Sequence, residues 1–257
     1  MSVTVTWLGQ AGFILESEAG TRLAIDAFLS GSEDRLRPPP QLSELGSRLD
    51  LLLATHEHMD HLDLPVLAPL RQRYPDLEVV VPAALPPLVR EAGADRVTGL
   101  AAGDQIRRGD VTISAVPAIH AVEIEDGYAV TAPGGEGRWA GYVVAFDRGP
   151  VLWHAGDSLV SAELLDQVRP HGVTVALLPV NGRDYFRESR GLVGNCDARE
   201  AVQAAQRLGA STLVPMHHDL IRGNTAAAGA AADAVRELGA PVNVLSLAPL
   251  VPSVLAA

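Results

Sequence analysis

Apolar residues recur along this chain in short runs that have the two-residue period or the length of β-strands. In the first run, residues 3–8, polar and apolar side chains alternate, as in a strand with one buried face. Residues 51–54 are apolar throughout, which is typical of a strand buried on both faces. On these grounds the sequence predicts strands over residues 3–8, 12–16, 21–26, 51–54, 79–81, 111–116, 142–146, 151–153, 173–178 and 212–214.

Two later stretches have the period and the boundaries of helices. Asp197, with Glu200 three residues on, forms a capping-box pattern; apolar residues then recur at helical spacing, and Gly209 predicts the end of the helix. Residues 225–238 form a second, alanine-rich helix. Because strands and helices follow one another in two similar halves, the sequence predicts an α/β (α+β) fold with two sheets packed face to face and helices outside.

Two stretches between the predicted elements are expected to be loops. Residues 31–47 contain three consecutive prolines, at 38–40, which exclude a helix or a central strand. A loop of this length inside a compact domain is either a functional lid or a surface excursion. Residues 131–138, with the sequence TAPGGEGR, form the second predicted loop.

Composition and charge narrow the class of protein. The chain has 257 residues, 47% of them hydrophobic, as expected for one globular domain over residues 1–257. No apolar stretch has the length of a transmembrane helix, and the N-terminal residues do not resemble a signal peptide. A formal net charge of −11 argues against nucleic acid as a partner, and the single cysteine, Cys196, cannot form an internal disulfide. We therefore expect a cytoplasmic protein with a small-molecule substrate and no membrane partner; the oligomeric state is not indicated.

A cluster of metal-ligating side chains directly follows the apolar run at 51–54. His56, His58, Asp60 and His61 occur together in the sequence THEHMDH. Alternate side chains of an extended segment share a face, so His56 and His58 can converge on one point while Asp60 and His61 turn to a second. Imidazoles and carboxylates are ligands of zinc, and they also suit manganese and iron. The alternative is a solvated histidine-rich turn, which the position at a buried strand end disfavours.

The pattern H-x-H-x-D-H after a buried strand resembles the signature of the metallo-β-lactamase superfamily. The resemblance extends along the chain, through Asp26 in LAIDAF, His120 in VPAIH, Asp157 in WHAGDS and His217 in VPMHHD. It implies a four-layer αββα sandwich with metals at one edge between the sheets. The sequences WLGQAGFILES, IDAFLS and LLATHEHMDHLD are similar, more closely, to the branch that contains L-ascorbate-6-phosphate lactonase.

The resemblance also implies a ligand set for two divalent metal ions, zinc or manganese, with occupancy by a single ion as an alternative. The implied ligands form two groups and one bridging carboxylate: His56, His58 and His120; Asp60, His61 and His217; and Asp157 between them. Asp26 is expected to orient one of these ligands from behind, as carboxylates near metal sites commonly do; the alternative is a structural role in a turn.

Polar residues after the strand at 173–178 are candidates for substrate binding. Arg183 could bind an anionic substrate group through two parallel hydrogen bonds, or it could form an ion pair with Asp184 or Glu188. Asn181 could contact the substrate, and Asn195 could do so or could hold the backbone of this loop.

Asp60 and His218 are the candidate catalytic side chains. Metal-bound hydroxide would attack the substrate, and Asp60 could take part in proton transfer. The metal, together with His218, could stabilise the developing oxyanion; alternatively His218 could contact the substrate, donate a proton or support a ligand from behind. The predicted function is hydrolysis of a small ester-like substrate, with a lactone favoured, phosphorylated or otherwise anionic lactones included. A phosphodiesterase or other phosphoesterase is the alternative enzyme, since the same site serves phosphoryl chemistry. A non-catalytic metal-binding module is the third reading.

Overall fold

The structure, a computed structural model, describes residues 2–130 and 137–256. The strands are β1 Val3–Gly9, β2 Gly12–Ser17, β3 Arg22–Ile25, β4 Leu51–Leu53, β5 Glu78–Pro82, β6 Arg96–Leu100, β7 Gln105–Arg108, β8 Val111–Val116, β9 Gly141–Phe146, β10 Val151–His154, β11 Val175–Pro179, β12 Thr212–Met216, β13 Asn243–Val244 and β14 Ser253–Leu255. The α-helices are α1 Leu64–Arg73, α2 Pro86–Glu91, α3 Ala162–Val168, α4 Tyr185–Glu188, α5 Ala198–Leu208 and α6 Ala230–Leu238. Short 3₁₀-helices span Leu42–Leu45, Ile124–Asp126 and Arg169–His171.

The strands form two seven-stranded sheets, each with an antiparallel part and a parallel part. The order is β14-β1-β2-β3-β4-β5-β6 in the first sheet and β13-β12-β11-β10-β9-β8-β7 in the second. Strands β3 to β6 are parallel neighbours, as are β10 to β13. Because the carboxyl ends of parallel strands open at one edge of a sheet, the loops after these strands are gathered together, and that edge is where sites form in such sheets.

Three hydrophobic clusters divide the molecule into four layers. In β4, Leu51 and Leu53 belong to the cluster between the sheets, whereas Leu52 belongs to the outer cluster, as the alternation of a strand requires. The central cluster contains fully buried side chains from both sheets, among them Phe13 and Tyr142. The outer clusters join the first sheet to α1 and α2, and the second sheet to α3, α5 and α6. The αββα sandwich predicted from the sequence is therefore confirmed.

Most of the predicted elements are present. Each predicted strand exists, with ends that lie within two residues of the expected ones. Helix α5 begins as predicted: the Asp197 side chain accepts a hydrogen bond from the Glu200 backbone, and Gly209 ends the helix in the left-handed conformation. The sequence did not reveal β6, β7, β13 and β14; about half of the residues of β6 and β7 are exposed, and these two strands lack a strong apolar pattern. None of the helices in the described residues has the length and hydropathy needed to cross a membrane.

Three expectations about helices and loops need correction or comment. The predicted helix over 225–238 begins only at Ala230, because Ala226 donates a backbone hydrogen bond to His218 and the carbonyl of Thr225 accepts one from Arg187. These tertiary contacts hold residues 225–229 outside the helix. The loop over 31–47 includes the 3₁₀-helix Leu42–Leu45. Of the predicted loop 131–138, residues 131–136 lie outside the described residues.

Candidate metal centre

The ligand-type side chains predicted from the sequence meet at one edge of the sandwich. Strand β4 leads into the segment from His56 to His61, the chain after β8 carries His120, and β10 and β12 lead to Asp157 and His217. Among the described residues, three groups have potential ligand atoms within 4.8 Å of one another: His56, His58 and His120; Asp60, His61 and His217; and His56, His61 and Asp157. The structure thus brings all seven predicted ligands together.

Asp157 lies between two of the imidazoles. Its Oδ1 is 3.1 Å from Nε2 of His61, and its Oδ2 is 3.1 Å from Nε2 of His217. Oδ2 of Asp60 is near the same two nitrogens, 3.6 Å from that of His61 and 3.5 Å from that of His217. The Asp157 carboxylate is therefore placed to be shared, which is the position that the bridging role requires.

The other imidazole group is equally compact. Nε2 of His56 lies 2.8 Å from Nδ1 of His58, and Nε2 of His120 lies 3.4 Å from the same atom. The remaining nitrogen of His58 is 2.8 Å from the carbonyl oxygen of Val122. Three imidazoles from two separate loops therefore face one another, an arrangement that is costly unless a cation or a shared proton joins them.

Burial and neighbouring charges shift the pKa values of these histidines in opposite directions. Burial lowers the pKa of His56 well below its usual range and that of His120 to about 3. Burial also acts to lower the pKa values of His217 and His61, but the neighbouring carboxylates, Asp157 first, outweigh it. They raise the pKa of His217 to about 9 and that of His61 well above its usual range. One side of the site offers neutral imidazoles, and the other carries negative charge that attracts a cation.

The side chains of the site fit bound metal ions. Nε2 of His61 and Oδ1 of Asp157 are buried and form no hydrogen bond, although an unpaired buried polar atom is costly. The donor set of imidazole nitrogens and carboxylate oxygens is one that zinc and manganese accept. A bound cation would give Nε2 of His61 and Oδ1 of Asp157 the partner that no hydrogen bond provides.

Asp26 supports the site from behind. Its Oδ2 is 2.7 Å from Nδ1 of His61 and accepts a 2.7 Å hydrogen bond from the Thr55 hydroxyl, while Oδ1 accepts a 2.8 Å hydrogen bond from the Thr55 backbone. These contacts turn Nε2 of His61 towards Asp157, the orienting role expected for Asp26. Gly156 allows the approach of Asp157: its φ is +64°, and a Cβ there would lie 2.8 Å from Cβ of Thr55.

A cleft of about 320 Å³ opens beside the predicted ligands, which is a suitable size for a small molecule. Ser32 and Asp34 line it, so the start of the loop over 31–47 borders the site. The full wall comprises Phe28, Ser32, Asp34, His58, Met59, Asp60, Asp157, Gly191, Leu192, Val193, His217, Ile221 and Asn224.

The structure does not bring His218 or Arg183 to this cleft. The ring of His218 packs against Trp7, with 5.3 Å between the centroids, and lines a second cavity. The guanidinium of Arg183 forms two hydrogen bonds, of 2.7 and 2.8 Å, with the carboxylate of Glu200. It therefore has neither the substrate contact nor either of the ion-pair partners expected from the sequence. These positions do not support the catalytic role of His218 or the anion-binding role of Arg183.

Asn181 and Asn195 are buried behind the wall of the cleft and do not line it. The sequence-based prediction gave Asn181 a possible substrate contact, because it follows β11 near the metal edge, and gave Asn195 either such a contact or a role in holding the loop backbone. The side chain that reaches the cleft from this layer is instead that of Asn224, which accepts a hydrogen bond from Asn181. Asn224 lies in a loop after β12, and no motif in the sequence distinguished it.

Gln10 is a second residue that the sequence reading missed. Its Nε2 donates a 2.8 Å hydrogen bond to Oδ2 of Asp60 and is 3.0 Å from Nε2 of His217. Its backbone N–H donates to Asp219, and its carbonyl accepts from the backbone of His217. The residue is fully buried with φ of +53°, which is uncommon outside glycine. The available signal was a polar residue inside the otherwise apolar stretch WLGQAGF.

We expect the substitution Gln10→Asn to weaken metal binding without unfolding the protein. Asparagine tolerates a left-handed backbone but is one methylene shorter, so its amide cannot hold Asp60 at the same distance. Loss of such a supporting contact should raise the metal dissociation constant about tenfold. Isothermal titration of the metal-free protein with zinc or manganese would measure it. Gln105→Asn is the matched control, because it removes a hydrogen bond from Gln105 on β7 to Ser114 on β8 and leaves the site unchanged. Equal affinities in the two variants would contradict this role.

Comparison with known proteins agrees with this fold. A family model described as a beta-lactamase superfamily domain matches residues 21–218. A UPF0173 metal-dependent hydrolase of Rubrobacter xylanophilus is 32% identical over 216 residues, which cover 83% of this chain and 81% of the relative. Among solved structures, the metallo hydrolase Igni18 of Ignicoccus hospitalis has a TM-score of 0.78 at 20% identity and covers both chains completely. An isothiocyanate hydrolase from Delia radicum gut bacteria has a TM-score of 0.77 at 17% identity, over 99% of this chain and 100% of that one.

The chain belongs to the metallo-β-lactamase superfamily. Within it, the relatives that this chain resembles in sequence are metal-dependent hydrolases of the UPF0173 group.

Proposed function

We propose that this protein hydrolyses a small ester-like substrate with the help of bound metal ions, and that lactones are the first class to test. The observation that carries the proposal is the position of the cleft. Asp60, Asp157 and His217 all line it, so a molecule in the cleft would lie directly against the predicted metal ligands.

The predicted ligands would hold two divalent ions, zinc or manganese. One ion would lie among His56, His58 and His120, the other among Asp60, His61 and His217, with Asp157 shared. Such ions supply Lewis acidity, which activates water near neutral pH and polarises the bond to be broken.

The protein side chains supply position and proton transfer. Asp60 is partly exposed, with 22% of its side chain accessible, and it lines the cleft. Gln10 holds Oδ2 of this carboxylate, so Oδ1 is the oxygen that would accept the proton released by the attacking water. Phe28, Leu192 and Val193 provide apolar wall that displaces bulk water from a bound substrate.

His58→Ala tests the proposal most directly. The substitution removes an imidazole whose Nδ1 lies 2.8 Å from His56, so one metal group loses a third of its ligands. Loss of a contact that only supports a metal ligand costs about 10- to 100-fold. Because His58 is a predicted ligand itself, we expect metal content to fall and lactone hydrolysis to decrease at least about a hundredfold. Elemental analysis of the purified protein and rates on plain and phosphorylated lactones, thioesters and phosphodiesters would measure both effects.

His171→Ala is the matched control, since His171 belongs to none of the three ligand groups. A fully active His58→Ala variant would refute the proposed mechanism. Hydrolysis of phosphodiesters but not of lactones by the metal-loaded wild type would replace the lactonase by the alternative enzyme, a phosphodiesterase.

A further inference from the structure

Apart from the predicted histidine ligands His58 and His217, the cleft has no basic side chain in its described wall. Apart from the predicted ligands, Asp34 is its only charged residue. The chain contains no lysine, and residues 131–136, which lie outside the described residues, contain no arginine. The rest of the wall is apolar or neutral: Phe28, Ser32, Met59, Gly191, Leu192, Val193, Ile221 and Asn224. A negatively charged group bound here, away from the metals, would therefore lack a counter-charge.

Three arginines of the segments that border the cleft contact other residues of the protein. Arg35 lies over the ring of Phe28 and donates a 3.1 Å hydrogen bond to its carbonyl oxygen. Arg187 donates a 3.0 Å hydrogen bond to the carbonyl oxygen of Thr225, and Arg183 is paired with Glu200. Two more arginines of these segments are exposed and do not line the cleft: Arg190 and Arg222.

A chain of three buried amides ends at the cleft. Nδ2 of Asn195 donates a 3.1 Å hydrogen bond to Oδ1 of Asn181, and Nδ2 of Asn181 donates a 2.9 Å hydrogen bond to Oδ1 of Asn224. The oxygen of Asn224 is thus occupied behind the wall. Its Nδ2 group remains as the donor that can serve a molecule in the cleft.

The direction of this chain of amides follows from its buried end. Asn195 is completely buried, and its Oδ1 has no hydrogen-bond partner. If all three amides were reversed, the buried unpaired group would be the NH₂ of Asn195, with two unsatisfied hydrogens. Unpaired buried N–H groups are rarer than under-satisfied carbonyl oxygens, so the direction that presents an NH₂ group at Asn224 is the more stable one.

We propose that the cleft binds an uncharged acyl compound, whose polar oxygen accepts a hydrogen bond from Nδ2 of Asn224 and whose body packs on the apolar wall. Asn181 and Asn195 are positioning residues that hold the Asn224 amide in this orientation. The inference rests on the proposed hydrolase function and narrows its substrate to neutral esters or lactones. Hydrolysis of such a compound consumes one water and yields an acid and an alcohol, with no further reactant.

Two chromogenic esters matched in chain length test the charge preference. 4-Nitrophenyl pentanoate is neutral, whereas 4-nitrophenyl hydrogen glutarate carries a terminal carboxylate. With the metal-loaded wild type we expect kcat/KM to be at least about tenfold higher for the neutral ester, because the carboxylate would be desolvated without a partner. Equal or faster hydrolysis of the glutarate ester would overturn the inference.

A binding measurement separates this inference from the proposed function. Pentanamide and glutaramate can be titrated into ¹⁵N-labelled zinc-loaded protein while the side-chain amide resonance of Asn224 is followed by NMR. We expect pentanamide to shift this resonance and glutaramate to leave it in place. If neither ester is hydrolysed but pentanamide shifts the resonance, the hydrolase proposal fails and the neutral binding site stands. If pentanamide does not shift it, the binding site fails.

Asn224→Asp tests the donor itself. Aspartate has nearly the same shape and still accepts from Asn181, but it presents an oxygen where the wild type presents an NH₂ group. We expect kcat/KM for the pentanoate ester to fall about 10- to 100-fold, with metal content unchanged because Asn224 is in none of the ligand groups. Asn243→Asp, the same change at an exposed site on β13, is the control. An Asn224→Asp enzyme with the kcat/KM of wild type would show that Asn224 does not bind the substrate.

Discussion

Asp157→Asn is expected to abolish most of the hydrolytic activity and to release bound metal. The two oxygens of Asp157 are each 3.1 Å from an imidazole nitrogen, one of His61 and one of His217. An amide keeps the shape of the side chain but has no negative charge. The buried imidazoles of His61 and His217, and any bound metal ion, therefore lose the anionic partner that Asp157 provides. Breaking a buried charge interaction of this kind costs about 3–5 kcal/mol, which corresponds to a loss of about 10²- to 10⁴-fold in kcat/KM.

Elemental analysis and steady-state kinetics would measure both effects of Asp157→Asn. Asp166→Asn is the matched control, because that carboxylate is 70% exposed on α3 and belongs to none of the ligand groups. If the Asp157→Asn variant kept its full metal content and hydrolysed the substrate at the wild-type rate, the shared carboxylate would have no role in metal binding.

Gly194→Ala is expected to have the largest effect on stability among simple substitutions near the cleft. An added Cβ would lie 2.3 Å from Cβ of Arg183, 2.7 Å from its Cα and 2.9 Å from the carbonyl oxygen of Gly182. Two of these atoms are backbone atoms, so a change of rotamer cannot relieve the overlap. We expect a decrease of about 3 kcal/mol in the free energy of unfolding, at the upper end for overpacking.

Urea denaturation would measure this difference. Gly31→Ala is the control: no atom lies within 4 Å of its added Cβ and its φ is not positive, so we expect a change within about 0.5 kcal/mol. Gly194 is the residue directly before Asn195, the first member of the chain of amides. A shift of this loop should displace the Asn195 side chain and so lower kcat/KM for the pentanoate ester as well. Unfolding midpoints that agree for the two variants would contradict the packing argument.

Elements with a strong local signal could be predicted from the sequence. Helix α5 has an N-terminal capping box at Asp197 and Glu200 and a left-handed Gly209 at its end, and each acts through backbone groups within a few residues. Strand β4 was recognisable because it is apolar on both faces. Strands β6 and β7 were missed because about half of their residues are exposed, so burial constrains few of their side chains to an apolar pattern.

The histidine and aspartate cluster was predictable for a related reason. His56, His58, Asp60 and His61 are ligand types placed directly after a buried strand, where polar side chains need a function or a partner. Their partners Asp157 and His217 follow other strands of the same kind. The resemblance to the superfamily's motifs implied that these two residues join the cluster, and parallel strands, which bring such positions to one edge, explain why they meet.

What the sequence determined by itself was therefore the sandwich and the identity of the clustered ligand-type residues, because periodicity and strand-end position are local properties. The tertiary structure alone decided which neighbouring side chains enter the cleft. His217 lies at the metal site as predicted, but His218 lines the second cavity and not the cleft; the backbone between them turns at His217, whose φ is +59°, a conformation with no sequence signal outside glycine. Likewise, the hydrogen bonds to Glu200 hold the Arg183 side chain away from the cleft, and the hydrogen bond from Asn181 holds the Asn224 amide at the cleft wall. The direction of a polar side chain depends on such partners, which are distant in sequence.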